Sequence, residues 1–388
     1  MRRTGVGGLF LSLLALTLAS PLLTRSDARA AELPLAGFNV PVRDLYDCRR
    51  GAKRGCLTLR DAAADGARVV RLNFAKLPLM SQKPPYAFDE EAFDFLRILL
   101  NEVSGLGLVA VIDPHAMPGA DRFTTIEADD AFWTDAAAQD ALVALWRRIG
   151  WRTRGYGDTV HAFDLINEPY AVPPGGALNA LYRRLVRAVR HVDPDRSVIL
   201  DFYPQHYHDV VSDTHRPQPP RYYDAGDAGR DGNARGRGRI YYSTHLYWPL
   251  DYTHQGISIP RGDGSVREAP AGQRWPDPDR RTNDTPWTAE GIARRLVGVT
   301  RFADTHGNWR MFVGEFSSSA CADCAWDTRA PNAGELPANG GDVWLDDVVS
   351  LMNDRGWSWT YHSLNGAAFW DAAVPERRRL HLRALLGR

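Results

Sequence analysis

Two glutamates stand at the ends of apolar segments, where carboxylates could act as acids, bases or nucleophiles. Glu168 ends segment 160–168, and Glu315 ends segment 311–315, 147 residues later. Pro169 has no backbone N–H, so a strand that contains Glu168 must stop there. Because parallel β/α barrels carry their active sites at the carboxyl ends of the strands, we expect the two glutamates to meet at one barrel mouth.

A pair of carboxylates at such a mouth suggests cleavage of a glycosidic bond. One carboxyl group would protonate the leaving oxygen, and the other would lie below the anomeric carbon as an anion. When the two groups are about 5 Å apart, the anion can attack the sugar directly, and the reaction retains the anomeric configuration.

Further polar side chains fall at the ends of other predicted strands. They are Arg71, His115, Asn167, His245 and Tyr247. Each alone could be structural, as a core ion pair or a satisfied buried histidine. Together, at corresponding ends of several strands, they indicate a common site, because buried charges usually have a partner or a function. Arg71 and Tyr247 could keep a nucleophile charged, and the amide and the histidines could bind sugar hydroxyls or tune the acid.

Eight predicted strands alternate with amphipathic helices. The strands are predicted at 35–42, 69–74, 108–112, 160–168, 197–202, 240–247, 311–315 and 357–361, and the main helices at 57–67, 89–106, 129–152, 177–192, 288–305, 343–353 and 381–386. This alternation favours a parallel sheet, and eight units favour a closed barrel. We therefore expect an α/β protein, a single (β/α)8 TIM barrel with long βα loops at 213–239 and 248–286.

The first thirty residues are predicted to be a secretory signal. Arg2 and Arg3 precede a short apolar run, and Ala28-Arg29-Ala30 has the small-x-small form of a cleavage site. An uncleaved anchor is the alternative. We expect residues 31–388 to form one catalytic domain that is secreted or periplasmic, with no membrane span after removal of the signal.

Composition and charge are those of a globular protein that does not bind nucleic acid. The 388 residues are 44% hydrophobic and 24% charged, with a formal net charge of zero. Loss of residues 1–30 would remove four arginines and one aspartate and leave a net charge of −3. No basic excess remains for a nucleic acid partner.

Four cysteines in an exported chain indicate disulfides. Local pairing, Cys48 with Cys56 and Cys321 with Cys324, is preferred among the three possible connectivities. A four-cysteine zinc site and a redox-active pair at Cys321 and Cys324 are the alternatives, and we expect no metal.

The ordered motifs resemble glycoside hydrolase family 5, the cellulase-like (β/α)8 group. Asn167-Glu168-Pro169 matches the Asn-Glu-Pro of strand four in that family, which implies that Glu168 is the acid/base. Glu315 in Val-Gly-Glu-Phe matches the nucleophile of strand seven. The resemblance covers essentially the whole chain after the signal.

Other motifs extend the resemblance to the substrate-binding residues. Arg71 matches the arginine of strand two, His115 the histidine of strand three, and His245-Leu246-Tyr247 the His-x-Tyr of strand six. Family members usually place a sugar-stacking tryptophan at the end of strand eight. Trp359 is predicted to take that role, with His362 as the alternative occupant of the position.

The resemblance implies a retaining β-glycosidase that needs no cofactor. The expected activity is endo-β-1,4-glucanase, with a β-linked polysaccharide or oligosaccharide as the substrate. The chain is expected to be a monomer. Other β-glycan specificities, namely mannanase, β-1,3-glucanase and exo-glucosidase, remain alternatives. A carbohydrate-binding protein without catalysis is the rival from another class.

Overall fold

Eight parallel strands form a closed barrel in the computed structural model, which describes residues 34–119, 131–169, 172–173, 175–202, 238–256, 258–260, 266–318, 340–365 and 376–387. In chain order the strands are β1 (Ala36–Pro41), β2 (Val69–Asn73), β3 (Val109–Asp113), β4 (Val160–Asp164), β5 (Ser197–Asp201), β6 (Ile240–Leu246), β7 (Met311–Phe316) and β8 (Ser358–His362). Each strand pairs with the next, and β8 pairs with β1. The predicted (β/α)8 barrel is confirmed.

Helices connect the strands. They are α1 (Val42–Arg49), α2 (Leu59–Ala64), α3 (Glu90–Gly105), α4 (Ala131–Thr134), α5 (Ala136–Thr153), α6 (Ala177–Val192), α7 (Leu250–Thr253), α8 (Ala289–Arg295), α9 (Val297–His306), α10 (Gly341–Asp354) and α11 (Glu376–Leu386). Side-chain caps begin several of them. Asp89, for example, accepts the N–H of Ala92 in the first turn of α3.

Several predicted elements have different bounds in the structure, among them the closing helix, which begins at Glu376 and not at His381. Segment 129–152 is divided into α4 and α5, because Asp135 leaves the helical conformation and caps α5 by accepting the N–H of Ala138. Segment 288–305 is divided into α8 and α9 at Leu296. The strand predicted at 160–168 ends at Asp164, so Glu168 lies four residues beyond β4.

Apolar side chains fill both sides of the barrel wall. A small cluster of strand residues occupies the barrel interior; it consists of Leu35, Val69, Val109, Val111, Ala162, Ile199, Tyr241 and Phe312. These residues lie mostly in the first halves of their strands, so the carboxyl ends are left to polar side chains. The larger core lies between the strands and the helices and contains the fully buried Trp146 and Trp344. Burial of each large apolar side chain contributes about 1.5–3 kcal/mol.

Segment 248–286, which was predicted as a loop, contains regular structure and aromatic side chains that belong to the main core. After α7 it forms two antiparallel hairpins, Ser258–Pro260 with Val266–Glu268 and Asp277–Thr282 with Thr285–Trp287. The rings of Tyr252 and Trp248 pack against Trp275. This aromatic packing gives the loop a fixed shape beside the end of β6.

One predicted disulfide is present. Cys48 of α1 is bonded to Cys56. The cysteines Cys321 and Cys324, the predicted signal at 1–30 and residues 213–237 lie outside the described residues. Among the residues that the structure describes, no helix combines the length and the apolar character needed to cross a membrane.

Candidate active site

The carboxyl ends of the barrel strands carry a buried cluster of polar side chains. Seven predicted site residues belong to it: Arg71, His115, Asn167, Glu168, His245, Tyr247 and Glu315. Each is at most 7% exposed, and hydrogen bonds link them across the barrel mouth. Since water is largely excluded, the charges in this cluster act strongly on one another.

Both carboxylate oxygens of Glu315 accept hydrogen bonds from neutral or permanently charged donors. Oε1 accepts from Nη1 of Arg71 at 2.9 Å and from Nδ2 of Asn39 at 3.1 Å. Oε2 accepts from the hydroxyl of Tyr247 at 3.0 Å. These bonds fix the carboxylate and stabilise its anionic form.

The pKa of Glu315 reflects these neighbours. Burial by itself would raise the pKa of this carboxyl, but His362, His245 and Arg71 together lower it below its ordinary range. The Nδ1 atoms of His362 and His245 lie 3.6 and 3.8 Å from Oε2. Burial lowers the pKa of His362 itself, so this histidine loses its charge as the pH rises. The guanidinium of Arg71, by contrast, is charged at every pH. Glu315 is therefore an anion at neutral pH.

Arg71 connects several strands of the barrel mouth. Its Nε donates to Asp164 at 2.8 Å, its Nη1 lies 3.0 Å from Asp113, and its Nη2 donates to the Oδ1 of Asn167 at 2.7 Å. Burial disfavours the charged guanidinium, but Asp113, Asp164 and Glu315 raise the pKa of Arg71 well above its ordinary value. The planar fork of the guanidinium allows these contacts simultaneously.

Glu168 has a different kind of partner, because its carboxylate faces a side chain that can titrate. Its Oε1 lies 2.5 Å from Nδ1 of His245. Burial would lower the pKa of His245, but Glu315, Glu168 and Asp201 raise it to about 9. At neutral pH His245 is therefore an imidazolium, and its Nδ1–H donates a hydrogen bond to Oε1 of Glu168.

The backbone after β4 aims Glu168 at this partner. Glu168 has a φ of 45°, in the left-handed region that residues other than glycine seldom adopt. Three hydrogen bonds hold the segment: Nε1 of Trp146 donates to the carbonyl of Leu165, the N–H of Leu165 donates to Ile199, and the N–H of Glu168 donates to Oδ2 of Asp201. The conformation is therefore fixed by a neighbouring helix and by β5.

His115, which follows β3, orients Asn167, which follows the neighbouring strand β4. Its Nδ1 lies 2.8 Å from Asp113 and 3.0 Å from Nδ2 of Asn73. Its Nε2 lies 3.4 Å from Nδ2 of Asn167. Burial opposes protonation, but Asp113 raises the pKa of His115 above its ordinary value.

The two glutamates are close enough to act on one bond. One oxygen of Glu168, one oxygen of Glu315 and a ring nitrogen of His245 all lie within 4.8 Å of one another. Three such atoms could bind a divalent cation. Binding is disfavoured, however, because His245 carries a proton toward Glu168 and the guanidinium of Arg71 lies beside Glu315. The separation fits the two carboxyl groups of a retaining glycosidase, which are about 5 Å apart.

Several residues of the cluster were not predicted as site residues. They are Asn39, Asp113, Asp164 and Asp201, all of them fully buried. The signal was present for some: Asp164 interrupts an apolar strand, and Asp113 stands two residues before His115. Asn39 and Asp201 offered only a polar residue near a strand end.

Trp359 does not lie in the cluster, which corrects its prediction as the sugar-stacking residue. Its side chain is 1% exposed and packs between β8 and the helices, with Nε1 donating to Asn353 of α10. Side chains alternate along a strand, so Thr360 and His362 point to the opposite face. His362 is the residue of β8 that lies beside Glu315.

The same combination of barrel and motifs is found in a known family. The family model described as cellulase (glycosyl hydrolase family 5) matches residues 36–368, most of the chain. The chain belongs to glycosyl hydrolase family 5. Family 5 is a retaining family of glycoside hydrolases, so the chain is a β-glycosidase of the retaining type.

Individual family 5 relatives are distant. Cellodextrinase A of Ruminococcus flavefaciens is 26% identical over 152 residues, which cover 39% of this chain and 39% of the relative. The chain therefore matches about two-fifths of the length of that curated relative. Cel5A of Thermotoga maritima, solved in complex with a mannotriose substrate, is 17% identical, with a TM-score of 0.62 over 92% of this chain and 99% of the solved chain.

A hyperthermophilic endo-β-1,4-glucanase, solved in complex with substrate, has a TM-score of 0.60 and 19% identity over 91% of this chain and 97% of that chain. These two structural likenesses support the barrel fold.

Proposed function

We propose that this family 5 enzyme hydrolyses a β-1,4-linked glucan, with Glu315 as the nucleophile and Glu168 as the acid/base. The observation that carries the proposal is the separation of at most 4.8 Å between an oxygen of each carboxylate. A water molecule placed for direct attack in an inverting reaction needs a wider gap of about 6.5–9.5 Å. The different partners of the two carboxylates support the division of roles.

In the first step, a carboxylate oxygen of Glu315 attacks the anomeric carbon and forms a glycosyl ester. The bond from that carbon to the leaving oxygen breaks, and Glu168 gives the leaving oxygen a proton that it takes from His245 through their hydrogen bond. Arg71, Asn39 and Tyr247 hold Glu315 in place before the attack. This positioning reduces the entropic part of the barrier.

In the second step, Glu168 is a carboxylate and accepts a proton from water. The water oxygen attacks the anomeric carbon, and the ester bond to Glu315 breaks, which restores the carboxylate. His245 lies 2.5 Å from Glu168 and supports both protonation states, because its own proton can move within the hydrogen bond.

The choice of β-1,4-glucan and of endo action rests on similarity in names, since the family is described as cellulase and a relative is named a cellodextrinase. The mannotriose complex of Cel5A makes mannan the first alternative to test. Secretion, with loss of residues 1–30, is part of the proposal, because an extracellular polymer must meet the enzyme outside the cell. The two carboxylates suffice for the reaction, so no metal or organic cofactor is needed.

The test is release of reducing sugar from carboxymethyl cellulose, mixed-linkage glucan, mannan, xylan and laminarin by residues 31–388. Glu315→Gln is the inactive control, and we expect a loss on the order of 10⁴-fold or more. Activity on the two β-1,4-glucan substrates that the variant abolishes would support the proposal. Activity confined to mannan or laminarin would correct the substrate, and binding without release would favour the non-catalytic reading.

A further inference from the structure

We propose that Asp201 is a positioning residue that fixes the backbone of Glu168 and sets the orientation and charge of His245. The proposal rests on the proposed role of Glu168 as the acid/base. Asp201 lies outside all of the motifs by which the sequence resembles family 5.

Three neighbouring strands bring these side chains together. Glu168 follows β4, Asp201 is the last residue of β5, and His245 lies near the end of β6. Because β5 lies between the other two strands in the barrel, Asp201 is placed between Glu168 and His245.

One oxygen of Asp201 faces both neighbours. Its Oδ2 accepts the backbone N–H of Glu168 at 2.9 Å and lies 3.7 Å from Nε2 of His245. The opposite ring nitrogen, Nδ1, is the atom that faces Oε1 of Glu168. Asp201 therefore contacts the main chain of the acid/base and the far side of the imidazole that binds its carboxylate.

The contact with the main chain stabilises an unfavourable conformation. A non-glycine residue in the left-handed region costs of order 1–3 kcal/mol and persists only where surrounding contacts hold it. Asp201 is fully buried, so its hydrogen bond to the N–H of Glu168 does not compete with water. Without this acceptor, the N–H of Glu168 would be unsatisfied inside the protein.

The ring of His245 is surrounded by titratable groups on four strands or their ends. Glu168, Asp201 and Glu315 are the carboxylates, and His362 is the other titratable group. Gly314 of β7 lies behind the ring; a Cβ there would come within 2.9 Å of Nε2, so only glycine leaves room. Loss of one carboxylate from this set would lower the affinity of the ring for its proton.

The first experiment is a pH titration of the histidine rings by ¹⁵N NMR, with His245→Gln used to identify the signal. In the wild type we expect His245 to titrate near the value of about 9 set by its carboxylates. Asp201→Asn keeps an acceptor for the N–H of Glu168 but removes the charge, and should lower the midpoint by about one pH unit. Asp65→Asn is the matched control, because Asp65 is also a buried aspartate but pairs with Arg379, away from the site.

An unchanged His245 midpoint in Asp201→Asn, or an equal shift in Asp65→Asn, would overturn the proposal. If Asp201→Asn does not fold, Asp201→Ser removes the charge with a smaller side chain and is titrated in its place. The titration uses no substrate, so a shift together with inactivity on every glycan would refute the proposed function while leaving the contact between Asp201 and His245 established.

The second readout is kcat/KM on aryl glycosides of the active sugar. If Asp201 acts through the acid/base, Asp201→Asn should move the alkaline limb of the pH profile to lower pH by about one unit. It should also slow substrates with poor leaving groups more than a dinitrophenyl glycoside. A uniform loss on all leaving groups with an unchanged pH profile would mean that Asp201 is merely structural.

Discussion

The two glutamates of the site share one rim of the barrel but have different kinds of partner. Glu315 accepts hydrogen bonds from Arg71, Asn39 and Tyr247, none of which changes charge near neutral pH. Glu168 faces His245, which does titrate, with a pKa of about 9. Fixed donors maintain an anion, as a nucleophile requires, whereas a titratable partner allows a proton to be gained and lost, as an acid/base requires.

The largest effect that would separate the two roles is expected from Glu168→Ala. Loss of the proton donor should reduce the rate on polysaccharide by about 10²–10⁴-fold. A dinitrophenyl glycoside needs no proton to leave, so its first step should remain fast and the glycosyl-enzyme should accumulate. Steady-state and burst kinetics on both substrates measure this difference.

Azide provides the control for that variant. As an anion it attacks without a general base, so it should restore turnover of the dinitrophenyl glycoside by Glu168→Ala and yield a β-glycosyl azide. It should not restore Glu315→Gln. Equal losses on both substrates, with no effect of azide, would contradict the role given to Glu168.

Arg71→Lys tests the hydrogen bond that the guanidinium donates to Glu315. Lysine keeps the charge but cannot donate to Glu315, Asp164 and Asn167 simultaneously, so we expect kcat/KM to fall by about 10²-fold. With weaker stabilisation of the anion, the pKa of Glu315 should rise, and the acid limb of the pH profile should move to higher pH. Arg196→Lys is the control, because Arg196 is also buried but pairs with Asp193.

The same variant has a consequence for stability. The pKa of Glu315 in the folded protein is below its unfolded value of about 4.3, so its ionisation stabilises the fold above that pH and this contribution is lost as the pH falls through the folded value. In Arg71→Lys this contribution should be smaller, and its loss should be complete at a higher pH. Acid unfolding followed by circular dichroism would show it, and an unchanged acid transition would count against the hydrogen bond from Arg71 as the cause of the lowered pKa.

Tyr247→Phe should have the smallest effect of the series. It removes one hydrogen bond from a neutral donor to a charged oxygen, which we place at the lower end of the range of about 1.5–3 kcal/mol, and so should lower kcat/KM by about 10-fold. Tyr156→Phe removes a tyrosine hydroxyl that bonds to α3, away from the site, and should leave kcat/KM unchanged. Similar values for the two variants would show that the hydroxyl of Tyr247 does not support Glu315.

The sequence predicted the barrel and seven members of the cluster because apolar strands that end in polar residues are a local pattern. The position of Glu168 was less accessible. The segment after β4 looks like a continuous apolar strand, but its backbone turns after Asp164 because contacts from Trp146 and Asp201 hold it, and these residues are distant in the chain.

The error at Trp359 has a simple physical origin. In β8 the aromatic residues Trp359 and Tyr361 alternate with Ser358, Thr360 and His362. A period of two places the aromatic residues against the helices and the polar ones on the inner face. The match to the family pattern selected a tryptophan near the end of the strand and did not take into account that its side chain points away from the site. The role of Asp201 could not be predicted, because it depends on the turn of the backbone after β4, which brings the N–H of Glu168 to Oδ2 of Asp201.

The most direct test of the account is to trap the glycosyl-enzyme. A 2-deoxy-2-fluoro glycoside with a dinitrophenolate leaving group would be incubated with the wild-type enzyme, and the labelled peptide would be identified by mass spectrometry. The proposed mechanism predicts one sugar per chain, attached to Glu315 in the peptide that contains Val313-Gly314-Glu315-Phe316. A label on Glu168 or on another carboxylate would contradict it.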